Sequence, residues 1–150
     1  MKERTPQTTQ DIYLVSDDTR LRRQLSSALE ECSIYRPPTN VSAENLLDMM
    51  PTIQSALVVV DLSFQDNGGF SLIRQLTGYQ SSPLILAVSP DRLDRAAYAR
   101  RALIAGATGY LSEEEIPEKF VRAIRRMTAG NIFLSDRTKE RLHPPTAVET

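Results

Sequence analysis

The stretch SALVVVDLSFQDNGG, residues 55–69, decides the fold. Four apolar residues, Leu57 to Val60, run without a polar break into Asp61, and the stretch closes on Gly68 and Gly69. An uninterrupted apolar run of this length is the pattern of a strand buried on both faces, as in parallel sheets covered by helices on either side. The question it raises is why such a strand ends on a carboxylate. Two further runs repeat the pattern, IYLV at 12–15 and LILAV at 84–88, and weaker strands are expected at 33–35 and 109–111. Helical spacing lies between them. Leu21, Leu25, Ala28 and Leu29 recur at i, i+4, i+7 and i+8, Phe70, Ile73 and Leu76 recur similarly, and further helices are expected near 42–50, 94–105 and 117–129. Five β-α units predict an α/β fold, a doubly wound five-stranded parallel sheet in the order 2-1-3-4-5.

Bulk composition narrows the classes. A chain of 150 residues with 41% hydrophobic content fits one domain with a sizeable core. A net charge of -1 gives no overall nucleic-acid footprint, and the arginines at 92, 95, 100 and 101 read as a solvated helix face. Cys32 is the only cysteine, which excludes an internal disulfide and a CxxC site and makes packing its expected role. No apolar run reaches membrane-spanning length and the first ten residues lack a signal-peptide core, so a soluble, cytoplasmic protein without membrane contact is expected. The expected organisation is a polar lead-in at 1–10, a domain over 11–130 and a linker-like segment over 131–150.

The last long helix carries Phe120, Val121, Ile124 and Met127 on one side and Arg122, Arg125 and Arg126 largely on the other, with Gly130 suited to its C-terminal cap. SEEE at 112–115 matches a capping box, yet that start would place Pro117 inside the helix; Pro117 as first helical residue is the more economical reading. Ser135 is positioned to cap one or two further helical turns. His143, the only histidine, sits in the tail with no spacing argument for a dyad with Asp61.

In an open parallel sheet, ligands bind beyond the carboxyl ends of the strands, where strand order reverses. The polar residues just after the apolar runs are Asp17 and Asp18, then Asp61, then Ser89. If the first and third strands are neighbours, Asp17 and Asp61 approach each other, and carboxylates gathered in one pocket favour a hard cation such as Mg2+. Each Asp alone reads equally well as a turn former or helix cap.

These motifs resemble the receiver domain of bacterial two-component response regulators over about residues 11–130. LVSDDTRLRRQL is similar to the family's first strand and helix, VVVDLSFQDNGGFSLIRQL to its phosphoacceptor segment with Gly69 eight residues after Asp61, and AGATGYLSEE to its fifth strand. The segment AIRRMTAGNIFLSDR resembles the NarL/FixJ class, whose receivers precede a helix-turn-helix domain. The resemblance implies a flavodoxin- and CheY-like (βα)5 fold, with Asp61 as phosphoacceptor for a sensor histidine kinase. It also implies Mg2+ held by Asp61 with the strand-one acids Asp17 and Asp18, Ser89 as the hydroxyl on the phosphoryl group, and Tyr110 as the aromatic that rotates inward. A homodimer is the expected assembly, and DNA would be reached only through a domain absent from this chain.

Two departures bear on mechanism. Ser16 falls at the first position of the family's acidic pair, leaving Asp17 as the second, and Glu113 falls on the family's strand-five lysine. A carboxylate held about 4 Å from the phosphoryl group would oppose it by at most about 4 kcal/mol at an effective dielectric near 20. The bland account of Glu113 to Glu115 is a solvated acidic loop at a helix N-terminus. Gln65 also stands where a proline is common. Phosphorylation and Mg2+ binding are therefore expected to be weak or absent. The alternatives are a conventional phosphoreceiver and a flavodoxin-like small-molecule binder; the second should carry a Gly- or Ser/Thr-rich loop after strand one, where SDDTR stands. An enzyme is not expected, for want of an activated nucleophile.

Overall fold

The computed structural model describes residues 11–30, 36–53, 55–65, 68–79, 81–90 and 95–142. Six strands form one sheet: β1 (Asp11–Val15), β2 (Thr39–Asn40), β3 (Ala56–Asp61), β4 (Leu84–Ser89), β5 (Gly109–Ser112) and β6 (Phe133–Leu134). Their order is β2-β1-β3-β4-β5-β6 and every pairing is parallel. The expected order of the first five holds, and the expected count of five does not. Phe133 and Leu134 pair with Gly109 and Tyr110, so β5 is not an edge strand. The strand expected at 33–35, like Cys32 and His143, lies outside the described residues; β2 is the exposed pair Thr39–Asn40.

The helices are α1 (Thr19–Glu30), α2 (Ala43–Met49), α3 (Gly68–Leu76), α4 (Arg95–Ala105), α5 (Ile116–Thr128) and α6 (Asp136–Leu142). They divide between the two faces as the alternation of strand side chains dictates. On β3, Val58 and Val60 face a core with Leu46 of α2, Phe70, Ile73 and Leu76 of α3, and Ala99 and Ala102 of α4. Leu57 and Val59 face the other core, with Leu21, Leu25 and Leu29 of α1 and Phe120, Ile124 and Met127 of α5. Every residue of β3 is buried, and each large apolar one contributes roughly 1.5–3 kcal/mol. Packing on both faces and pairing on both edges therefore fix the strand that carries Asp61 at its end.

The start of α5 differs from both expectations. The box closes, with the Ser112 N–H donating to Glu115 Oε1 at 3.1 Å, but it caps a short 3-10 turn over Glu113–Glu115. The α-helix follows from Ile116, so Pro117 lies in its first turn, where no intrahelical donor is lost, but is not its first residue. Glu115 is buried and pairs with Lys119 at 3.6 Å, which corrects the reading of 113–115 as a wholly solvated loop. At the other end Gly130 adopts φ 95° and its N–H donates to the Met127 carbonyl, as a C-terminal cap requires. Ser135 accepts the Thr138 N–H at 3.3 Å and starts α6, which packs on α4. Residues 133–142, within the segment read as linker-like, thus cover the β5 and α4 side of the domain.

Candidate functional site

Asp61 ends β3 in register with Val88 of β4, while Val15, the last residue of β1, pairs with Val60. The reversal of strand order between β1 and β3 therefore opens beside Asp61, at the carboxyl end of the sheet. Asp61 is 6% exposed, and its carboxylate is held by short hydrogen bonds from both sides. Ser16 Oγ donates to Oδ2 at 2.6 Å. The Ser63 N–H and Oγ donate to Oδ1 at 3.0 and 2.7 Å. This resolves the puzzle of a carboxylate on a buried strand: it is desolvated, and three donors replace water. Ser63 was not singled out from the sequence; its place two residues after a strand-end Asp, where a side chain can close a turn, is the signal that could have found it.

The strand-one acids do not join it. Asp17 is exposed on the wall of a cleft of about 470 Å3 that Ser16, Asn40, Glu44, Phe64 and Gln65 also line. Asp18 caps α1, with its Oδ1 accepting the Arg20 N–H at 2.9 Å and its own N–H donating to Ser16 Oγ at 3.0 Å. Its other oxygen lies 3.4 Å from the Arg20 guanidinium. Among the described residues no three His, Cys, Asp or Glu side chains gather as a metal-binding group. Asp17 and Asp18 are not drawn together with Asp61 here, and the Asp61 oxygen Oδ2 accepts the Ser16 hydroxyl.

Ser89 and Tyr110 do come together. Both are buried, Tyr110 completely, and their hydroxyls share a hydrogen bond. The neighbouring strand ends β4 and β5 bring them there, Ser89 being in register with Ser112. Glu113 follows β5 directly, its side chain 15% exposed and 3.6 Å from the Arg20 guanidinium. Arg20 therefore bridges Asp18 and Glu113, tying the start of α1 to the end of β5 and partly neutralising both carboxylates. Sequence reasoning did not reach Arg20, because its partner lies 93 positions away. Gln65 adopts φ 48°, a left-handed conformation that a proline cannot take.

A family model described as the response regulator receiver domain matches residues 12–125. The KDP operon transcriptional regulatory protein KdpE of Escherichia coli is 30% identical over 124 residues, covering 79% of this chain and 53% of that protein. The nitrate/nitrite response regulator protein NarP of the same species is 28% identical over 149 residues, 95% of this chain and 64% of that protein. The crystal structure of a LuxR-family two-component response regulator from Aurantimonas sp. SI85-9A1 superposes with a TM-score of 0.76 at 25% identity, covering 90% of this chain and 96% of that one. The chain spans 43% of the first curated relative it matches and 68% of the second.

Proposed function

This chain belongs to the response regulator receiver domain family, and from that premise we propose that it works as a pseudo-receiver whose switch is set by internal hydrogen bonds, with phosphorylation of Asp61 weak or absent. The observation that carries the reading is the pair of hydroxyls on Asp61. Ser16 takes the oxygen facing strand one at 2.6 Å and Ser63 takes the other, so neither oxygen is presented free to a phosphoryl donor. Receiver domains generally bind Mg2+ at the phosphorylation site; with Ser16 supplying no charge and Asp18 engaged in capping, weak Mg2+ binding follows for this one. The Ser89 and Tyr110 arrangement is in line with this reading, since the two proposed switch residues are buried and bonded to each other through their hydroxyls.

Receiver domains of this family interact with sensor histidine kinases, and such a kinase is the proposed partner here, through contact more than through phosphotransfer. The proposed output is transcriptional, as KdpE is a transcriptional regulatory protein, through an effector domain outside these residues. The proposed domain takes in β6 and α6 as well as the expected 11–130, because β6 joins the sheet and α6 packs on α4. Its proposed setting is the cytoplasm; among the described residues no helix is long and apolar enough to cross a membrane. We also propose a homodimer, by likeness to RcsB, whose dimers have been seen bound to DNA and whose chain superposes with a TM-score of 0.74 at 15% identity.

Sedimentation of the chain with and without acetyl phosphate and Mg2+ tests the reading. The association state should be the same in both, and the same for Asp61→Asn. A donor-dependent shift that Asp61→Asn removes would establish the conventional phosphoreceiver instead.

A further inference from the structure

A concavity of about 90 Å3 lies between α5 and the β6–α6 corner, on a part of the surface that the Asp61 pocket does not reach. Lys119, Arg122, Arg126 and Lys139 line it against a single acid, Asp136, although the whole chain carries a net charge of -1. Positions 119, 122 and 126 recur at i, i+3 and i+7, so the three α5 cations form a stripe about 10 Å long at 1.5 Å per residue. Lys139 is brought alongside by the short strand β6, which turns the chain back so that α6 follows at once. Lys119 is engaged by Glu115 at 3.6 Å. Arg122, Arg126 and Lys139 are exposed and have no ion-pair partner among the described residues.

Like charges that outnumber the one acid lining the same concavity repel one another, and an anionic partner relieves that repulsion. The donors fit phosphate: guanidinium groups offer a planar fork for two phosphate oxygens, and Lys139 adds a point charge. We propose that Arg122, Arg126 and Lys139 form a docking strip for the phosphodiester backbone of double-stranded DNA, a sequence-independent contact made by the receiver itself beside whatever its effector reads. The inference rests on the transcriptional reading above. The polar lining and linear spacing favour a backbone of regularly placed charges over an acidic protein segment, for which Ile132, 63% exposed in the same lining, would be the apolar anchor.

Fluorescence anisotropy of the full chain against a short labelled duplex of arbitrary sequence tests this. Three phosphate contacts predict a slope near -2.7 for log affinity against log salt, a loss of roughly 40-fold between about 50 and 200 mM. The variant Arg122→Gln/Arg126→Gln/Lys139→Gln should lose at least about tenfold in affinity, and the equal-count control Arg22→Gln/Arg23→Gln/Arg100→Gln should stay within about twofold. Unchanged thermal melts show that both variants are folded. Absence of salt-dependent duplex binding, or equal losses in the two variants, would overturn the proposal. So would binding that prefers polyglutamate to the duplex and falls with Ile132→Ser, which would assign an acidic protein partner. None of these outcomes alters labelling at Asp61, so failure here is separable from failure of the pseudo-receiver reading.

Discussion

Adding one methyl group at each of two adjacent glycines should move stability in opposite directions. A Cβ on Gly69 would sit 2.8 Å from the Asp61 carbonyl oxygen, 3.0 Å from Leu62 Cα and 3.1 Å from Val60 Cγ1. Two of these atoms are backbone at the end of β3, which is paired with β1 on one side and β4 on the other and cannot retreat. Helix propensity favours Ala over Gly by about 1 kcal/mol, but forcing a methyl into packed backbone costs about 1–3 kcal/mol, so the clash wins for most of that range. Gly69→Ala should therefore destabilise by up to about 2 kcal/mol. A Cβ on Gly68 meets only Gln65 Cβ, at 3.5 Å, and Gly68 is not among the glycines with positive φ. Gly68→Ala should stabilise by about 0.4–1 kcal/mol through the unfolded chain. Urea unfolding followed by circular dichroism reads both as midpoint shifts at constant slope. If Gly69→Ala proves as stable as Gly68→Ala, the close seating of α3 on the end of β3 is not what requires a glycine eight residues after Asp61.

Gln65→Gly should stabilise the domain by about 0.5–1 kcal/mol, because relief of a left-handed side-chain residue is worth about 1–2 kcal/mol and glycine's extra freedom when unfolded returns about half of it; Gln65→Pro should destabilise, and the same urea series checks both. Glu115→Ala removes the acceptor of the Ser112 N–H and Oγ bonds, at 3.1 and 3.2 Å, and should cost about 1–2 kcal/mol in that assay.

The three long strands were legible because burial on both faces leaves the plainest pattern a sequence can carry. Ile12 to Val15, Leu57 to Val60 and Leu84 to Val88 read directly as the centre of the sheet. The edges left no such trace. Thr39–Asn40 is exposed and follows two prolines, and Phe133–Leu134 is too short to show a period, so both are placed by pairing with a neighbour and not by their own composition. In the site, each residue at a strand end could be located, because strand ends are where apolar runs stop. What could not be read was the direction of the side chains. Asp18 turns to the α1 backbone, Ser16 takes its place on Asp61, and Arg20 reaches across to Glu113, each decided by distances that exist only after β1, β3 and β5 are aligned.

The account's central claim is that Ser16 and Glu113 silence the pocket around Asp61. Intact-mass measurement of the phosphoryl adduct after incubation with acetyl phosphate and Mg2+ tests it most directly, comparing the unmodified chain with Ser16→Asp/Glu113→Lys and with Asp61→Asn added to that pair. Removing the hydroxyl from Asp61 Oδ2 and replacing a repelling carboxylate with an ammonium should turn little or no labelling into a clear adduct, and Asp61→Asn should abolish the gain. Efficient labelling of the unmodified chain at Asp61 would contradict the claim and make this an ordinary phosphoreceiver.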